Sequence, residues 1–336
     1  MNLQRAQDIL NHARRIAIVR TDRLGDMVLT LPLARALKER FPEVSIEMIA
    51  RRYTAPLLDN SPVLDAVHFV DQLPLGKLFK DQFYDAVFFP RPVFRECLEA
   101  FAARIPIRVG SAYRWYSPLF NCKVYDHRKT AERHEAEYNV RMLGNILGEQ
   151  ITAMLVAPVV DVQARVKVDQ LLCEKGILKD EQFIVVHPAT GGSAFEWSAA
   201  KFGEAANIIS REQQLRVVIT GTANESAKCS EAFSHCRQAI NLCGQLELSD
   251  MIALLERASL LVANSTGVLH IAAALGTSVV GLYPNTPHIS AKRWGPYSQN
   301  SRVISPPRLD SSIFNDDMNM IEVESVVEAV KTLFSR

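Results

Sequence analysis

A chain of 336 residues with 38 Lys and Arg against 37 Asp and Glu has a net charge of +1, so no global basic surplus points to nucleic acid, and any basic function must be local. At 48% hydrophobic and 22% charged residues the composition is that of an ordinary globular protein, and the length predicts about two domains. No run approaches the roughly 18 apolar residues that span a bilayer. The first fifteen residues lack an apolar secretory segment, and the six cysteines form no Cys-x-x-Cys pair, which reads as a cytoplasmic chain with reduced thiols.

In chain order, short β-branched runs at 15–19, 44–49, 66–70, 84–89 and 105–109 predict strands. Between the first two, Val28, Leu31, Leu33, Ala34 and Leu37 recur at near-helical spacing, and Pro32 inside that stretch predicts a bend or a late helix start. A second array follows, with strands at 183–188, 215–220, 238–242, 259–263 and 277–283 separated by helical segments. A last helix covers about 321–335. Runs apolar on both faces that alternate with helices imply parallel sheets covered on both sides. The pattern breaks near 155–165, which sets two doubly wound α/β domains at 1–160 and 161–336.

In such sheets ligands bind beyond the carboxyl ends of strands, so each strand-to-helix turn is a candidate site. The first turn runs from Arg20 through Arg23 and Gly25 to Asp26. Asp26 reads either as a first-turn acid matched to the helix dipole or as a base facing a cleft. Arg20 and Arg23 read either as solvated loop residues or as anion ligands. After the strand ending at His187, the turn Thr190-Gly191-Gly192-Ser193 is either a plain turn or a backbone cradle for phosphate. Glu225 after Gly221-Thr222 is a first-turn acid or a ribose ligand. The turn Asn264-Ser265-Thr266-Gly267 opens a helix whose free amides and dipole attract a diphosphate. His270, four residues after Thr266, lies on the same helix face as either a packed core residue or a phosphate ligand. Asn264-Ser265-Thr266 is also formally a glycosylation acceptor, which a cytoplasmic chain would not use. There is no G-x-G-x-x-G, Walker, D-x-D, H-E-x-x-H or G-x-S-x-G pattern, so nicotinamide, P-loop, metal-bridged and serine-hydrolase chemistries lack support.

The stretches IAIVRTDRLGDMVLTLPLARALKERFP, VVHPATGGS with its following Trp197, and LCGQLELSDMIALLERASLLVANSTGVLHIAAALGTSVVGLY resemble, in order and spacing, the ADP-heptose:lipopolysaccharide heptosyltransferases of glycosyltransferase family 9. The resemblance covers nearly the whole chain. It implies the GT-B fold, two Rossmann-like domains facing a central cleft. It also implies an inverting, metal-independent transfer of a heptose or related sugar from an ADP-sugar to a lipopolysaccharide inner-core acceptor, with no cofactor. By resemblance Asp26 is the catalytic base. Thr190 and Gly191 lie near the phosphates, Glu225 near the ribose and Leu246 near the adenine, while Ser265, Thr266, Gly267 and His270 receive the diphosphate. Arg20, Arg23, Arg51, Arg91 and Arg95 are candidates for the anionic lipid A or core acceptor. The chain would be cytoplasmic and peripheral at the inner membrane, with its last helix a candidate to pack back on the first domain. Two residues depart from the family pattern: Ser265 stands where Asp is usual, and Phe195 where Lys or Arg is usual. Lys201 and the pair Lys292/Arg293 are candidate replacements for the missing cation. The departures leave open a different nucleotide-sugar donor or a catalytically impaired homologue.

Overall fold

The computed structural model describes residues 1–192, 194–307 and 316–334, and divides into two compact units, Met1–Val159 and Val160–Arg336. The first unit contains α1 (Leu3–Asn11), β1 (Arg15–Val19), α2 (Leu24–Val28), α3 (Leu31–Arg40), β2 (Ser45–Ala50), α4 (Ala55–Leu58) and β3 (Ala66–Phe69). It continues with α5 (Leu75–Gln82), β4 (Ala86–Phe88), α6 (Phe94–Ala102), β5 (Ile107–Ser111), β6 (Cys122–Val124) and α7 (Glu135–Leu147). Its six strands are all parallel, in the order β3-β2-β1-β4-β5-β6. Pro32 falls in the first turn of α3, where its missing amide hydrogen matters least. The expected break therefore appears as two helices, α2 and α3.

The second unit contains α8 (Val162–Glu174), β7 (Phe183–His187), α9 (Ala199–Gln213), β8 (Arg216–Ile219), α10 (Ser226–His235), β9 (Ile240–Asn241) and α11 (Leu248–Arg257). It ends with β10 (Leu260–Asn264), α12 (Gly267–Leu275), β11 (Ser278–Leu282), α13 (Ala291–Trp294), β12 (Ser301–Ile304) and α14 (Val323–Phe334). Its sheet is also all parallel, ordered β12-β11-β10-β7-β8-β9. Central strands such as β7 and β10 are buried at every residue, as two-sided helical cover requires.

Two strands lie outside the sequence expectation, β6 and β12. Both are edge strands with an exposed residue between less exposed ones (Lys123, Val303), so neither carries the continuous apolar run of a central strand. The last helix belongs to the second unit. Val323, Val326, Val330 and Leu333 of α14 enter one core with Phe202 and Ile209 of α9 and with Val280 and Leu282 of β11. Among the described residues no helix is long and apolar enough to cross a membrane.

Both sheets reverse direction at one place, between β1 and β4 in the first unit and between β7 and β10 in the second. At such a switch point the crossover helices leave to opposite faces and open a crevice at the strand ends. The residues following those four strands are therefore placed by topology to meet a ligand.

Candidate functional site

In the first unit, β1 runs out at Val19 and the next residue, Arg20, is only 2% exposed. Its Nε donates to Asp22 Oδ1 at 2.6 Å, its Nη2 reaches Asp22 Oδ2 at 3.2 Å, and Nη2 also pairs with Asp26 Oδ1. Asp26 is in the first turn of α2. Burial pushes its carboxyl above the ordinary carboxylate range; Arg20 opposes this, and Asp22 and Glu135 add to it. Burial works against the Arg20 charge, but Asp26, Asp22 and Glu135 outweigh it and hold the guanidinium firmly protonated. Arg20 Nη1 is buried without a protein partner among the described residues.

A ring of supporting contacts surrounds this cluster. Arg91, in the turn after β4, approaches Asp22 Oδ2 through Nε at 3.4 Å. Thr21 Oγ1 donates to Glu96 Oε1 at 2.6 Å, joining the β1 turn to the first turn of α6. The Tyr53 phenol donates to the Asp22 carbonyl. Glu135, the buried first residue of α7, is paired with Arg128, which also donates to Asn139 Oδ1 at 3.1 Å. Asn139 in turn donates to Leu29 O at 2.8 Å, tying α7 to the end of α2.

The five expected acceptor arginines separate here. Arg20 is buried, not a solvated loop residue, and pairs with Asp26. Arg23 and Arg51 are exposed beside the cluster, and their charges act on Asp26 and on Tyr53 and Glu96. Arg91 is half engaged with Asp22. Arg95 is 89% exposed and meets Glu99 one turn along its own helix at 3.5 Å, outside the cluster. Sequence reading missed Asp22, Glu135, Glu96, Tyr53 and Arg128. Only Asp22 carried a local signal, as a carboxylate two residues beyond a strand-end arginine.

In the second unit four turns are stitched together. Gly191 and Gly192 both adopt positive φ (+59° and +74°), so the turn after β7 is one that glycine enters without the Cβ penalty, and the Gly192 amide donates to Thr190 Oγ1 at 3.2 Å. The Gly191 amide donates to Glu225 Oε1 at 2.8 Å, while Glu225 Oε2 accepts from the Thr222 amide (2.8 Å) and hydroxyl (2.9 Å). Gly244 N–H donates to Gly221 O at 2.9 Å, which brings the Gly244–Leu246 turn, with half-buried Leu246, alongside Thr222–Glu225. Thr190 donates to Glu196 Oε1 through its amide (3.2 Å) and hydroxyl (2.6 Å), and the other oxygen of Glu196 pairs with Lys228 of α10. Burial acts to raise the Glu196 carboxyl, but Lys228 and Thr190 outweigh it and hold it below the ordinary range. Ser193 lies outside the described residues.

The turn after β10 is anchored from below. Asn264, fully buried, accepts from Trp197 N–H at 3.0 Å and donates to Pro188 O at 3.0 Å, so its amide fastens the β7 and β10 turns together. Its burial also rules out its use as a glycan acceptor. Ser265 lies near the Tyr283 phenol just past β11, and that phenol donates to Trp294 O at 2.7 Å. Thr266 is the N-cap residue of α12 but makes no side-chain cap bond. Its Oγ1, in a side chain only 6% exposed, is buried without a protein partner among the described residues. Gly267 starts the helix, and His270 is buried one turn on. A helix N-terminus with free amides beside an unsatisfied buried hydroxyl is suited to an anion.

Of the expected replacement cations, Lys201 donates to Asn319 O (2.7 Å) and Ile321 O (3.0 Å) and is committed to fastening the segment before α14. Arg293 stacks over Trp294 at 4.6 Å. The cation that the structure brings to the Thr190 turn is Lys228, from a helix that sequence proximity did not suggest. Phe195 is exposed.

Comparison with known proteins agrees with this picture. A family model described as glycosyltransferase family 9 (heptosyltransferase) matches residues 73–317. The chain is 25% identical to a putative glycosyltransferase of Haemophilus influenzae, covering 96% of this chain and 97% of that protein. It is 27% identical to lipopolysaccharide heptosyltransferase 2 of Salmonella typhimurium, covering 86% and 87%. Among solved structures it resembles a glycosyl transferase family 9 protein from Veillonella parvula, with a TM-score of 0.84 at 19% identity over 96% and 97% of the chains. It also resembles the ADP-heptose heptosyltransferase II of E. coli, with a TM-score of 0.78 at 21% identity over 96% and 98%. The fold is thus the GT-B architecture of two Rossmann-like units.

Proposed function

Because the chain belongs to glycosyltransferase family 9, and is a glycosyltransferase with the GT-B fold, we propose that it moves a heptose or related sugar from an ADP-sugar to a lipopolysaccharide inner-core acceptor, by a single inverting displacement that needs no metal. The first unit, residues 1–160, receives the acceptor and supplies the base. The second, residues 161–336, holds the nucleotide sugar.

The observation that carries this reading is Asp26, a carboxylate in the first turn of the helix after central strand β1, whose burial raises its proton affinity, opposed by the Arg20 charge that pairs with it. It accepts the proton of an acceptor hydroxyl as that oxygen attacks the anomeric carbon. The bond from that carbon to the diphosphate breaks, and the nucleoside diphosphate leaves with the electron pair. One displacement inverts the anomeric configuration. The growing charge on the leaving group is met by the first-turn amides of α12, by Thr266 Oγ1 and by the ammonium of Lys228, which together supply the counter-charge a metal would otherwise provide. Thr190, Gly191, Glu225, Leu246, Ser265, Gly267 and His270 frame the same nucleotide. Arg23, Arg51 and Arg91 offer charge to an anionic acceptor beside Asp26. The membrane carrying that acceptor is met peripherally from the cytoplasmic side.

Asp26→Asn removes the base with little change of shape. The rate of sugar transfer should fall roughly 10²–10⁴-fold while ADP binding by calorimetry is unchanged; turnover at the wild-type rate would remove Asp26 from the mechanism. Ser265 in place of an acid, and exposed Phe195 in place of a cation, favour a second reading in which the donor is a different nucleotide sugar. A melting-temperature panel of ADP- and UDP-sugars separates the two, with stabilisation by UDP-sugars alone selecting the second.

A further inference from the structure

Helix α6 carries its apolar residues on both sides. Cys97 and Ala100 enter the core of the first unit, while Phe94, Leu98 and Phe101, spaced at i, i+4 and i+7, form a second stripe that is exposed to solvent. Trp115 adds to it from the turn after β5. This residue is 78% exposed, and its ring lies 4.7 Å from that of Phe94 and 5.3 Å from that of Tyr116. The Tyr116 phenol donates to Pro92 O at 2.7 Å, which fixes the Trp115 turn against the start of α6. Tyr113 and Tyr125 extend the exposed aromatic surface, joined by the bond from Tyr113 Oη to Tyr125 O at 3.1 Å. Single exposed hydrophobic residues need no explanation, but a contiguous set held in place by its own contacts does.

The charges around this surface are one-sided. Residues 91–131 hold eight Lys and Arg against three Asp and Glu, a surplus of five in a chain whose whole surplus is one. Arg91, Arg95, Arg104, Arg114, Lys123 and Lys129 are exposed, whereas Glu96, Glu99 and Asp126 are all half-buried. Aromatic and aliphatic side chains rimmed by exposed cations, on an element too short to span, are the chemistry of a surface that lies in a headgroup layer bearing negative charge.

We infer that the exposed Phe94–Leu98–Phe101 stripe of α6, with Trp115, docks the first unit on an anionic lipid bilayer. The occupant is chosen by charge: a second copy of this chain would present the same cationic rim and be repelled, whereas an anionic headgroup layer is complementary to it. The position serves the proposed reaction. The first turn of the same helix holds Glu96, bonded to Thr21, and the helix follows Arg91, which faces Asp22, so a bilayer under the stripe brings an acceptor sugar on a lipid anchor to the Asp26 turn. This inference deepens the proposed function by naming the surface that meets the acceptor's membrane.

Flotation of the full-length protein with vesicles of phosphatidylethanolamine and phosphatidylglycerol (3:1), and with vesicles of phosphatidylcholine alone, tests it. The wild type should float with the anionic vesicles, be released by 0.5 M NaCl, and stay behind with phosphatidylcholine. Phe101→Ser combined with Trp115→Ser should bind the anionic vesicles roughly tenfold more weakly, and Arg95→Glu with Arg114→Glu should abolish the salt-sensitive part. All four sites are exposed, so the variants should keep the wild-type melting temperature and ADP affinity. Wild type that ignores anionic vesicles, or a serine variant that binds them as well as wild type, overturns the inference. So does a wild-type dimer in sedimentation velocity that the serine variant dissociates, since the stripe would then be covered by a second copy. Vesicles without acceptor keep the two readings apart. Transfer to a delipidated core oligosaccharide with no vesicle binding defeats only the docking surface. Vesicle binding without transfer defeats only the enzymatic reading.

Discussion

At Asp26 opposing influences set the proton affinity: burial, Asp22 and Glu135 raise it, and Arg20 and Arg23 lower it. The sign is upward, so a reaction using this carboxylate as base should lose kcat/KM on the acid side at a pH above the ordinary aspartate range of about 3.9. Glu135 acts on Asp26 through its charge. Glu135→Gln removes a like charge and should move that acid limb to lower pH while leaving ADP affinity unchanged, which a pH–rate profile of the variant reads directly. A limb that stays in place would mean Glu135 has no electrostatic part. Thr266 gives the complementary case in the second unit. Its buried hydroxyl lacks a protein partner among the described residues, and an unsatisfied buried polar group costs about 1–3 kcal/mol. Thr266→Val should therefore melt no lower than wild type, yet bind ADP roughly tenfold more weakly through loss of a charge-assisted hydrogen bond. Calorimetry and a melting curve on the same sample check both halves.

The β10–α12 turn shows how an element holds a site without touching a ligand. Asn264 looked like the first residue of a polar turn, but it is buried and bonded to Trp197 N–H and Pro188 O, and so sets the distance between the β7 and β10 turns. Asn264→Ala leaves both of those buried backbone groups unpaired and should cost about 2–4 kcal/mol in urea unfolding. A loss below about 1 kcal/mol would show that the two turns are held by other contacts. The helix start at Thr266–Gly267 was readable from local chemistry, since a polar residue and glycine before an apolar periodic run signal an N-terminus. Asn264's partner Pro188 lies 76 residues away in the chain, so no local pattern carried that role. The same holds for Lys228. Its place beside the Thr190 turn depends on α10 packing next to α9 behind the β7–β8 pair, whereas Lys201, nearer in sequence, is drawn off to carbonyls ahead of α14.

At the scale of the molecule, each unit has its own apolar core and its own switch point. A ligand held by the second unit should therefore stabilise that unit first. At one hundred times its dissociation constant ADP adds about 2.7 kcal/mol to the state that binds it. In hydrogen exchange the added protection should appear in the turns around Thr190, Glu225 and Gly267. Protection confined to residues 1–159 would place the nucleotide in the other half and reverse the proposed division of labour. Alternation of buried strands and amphipathic helices determined, from sequence alone, two parallel α/β sheets and the turns where ligands belong, because side-chain periodicity and the rule of carboxyl-end binding are local or topological properties. The edge strands β6 and β12, the destination of α14, the burial of Arg20 against Asp26 and the arrival of Glu135 and Lys228 were decided only by tertiary structure. Each depends on which distant surfaces exclude water together, and burial and pairing across the chain leave no trace in a stretch of neighbouring residues.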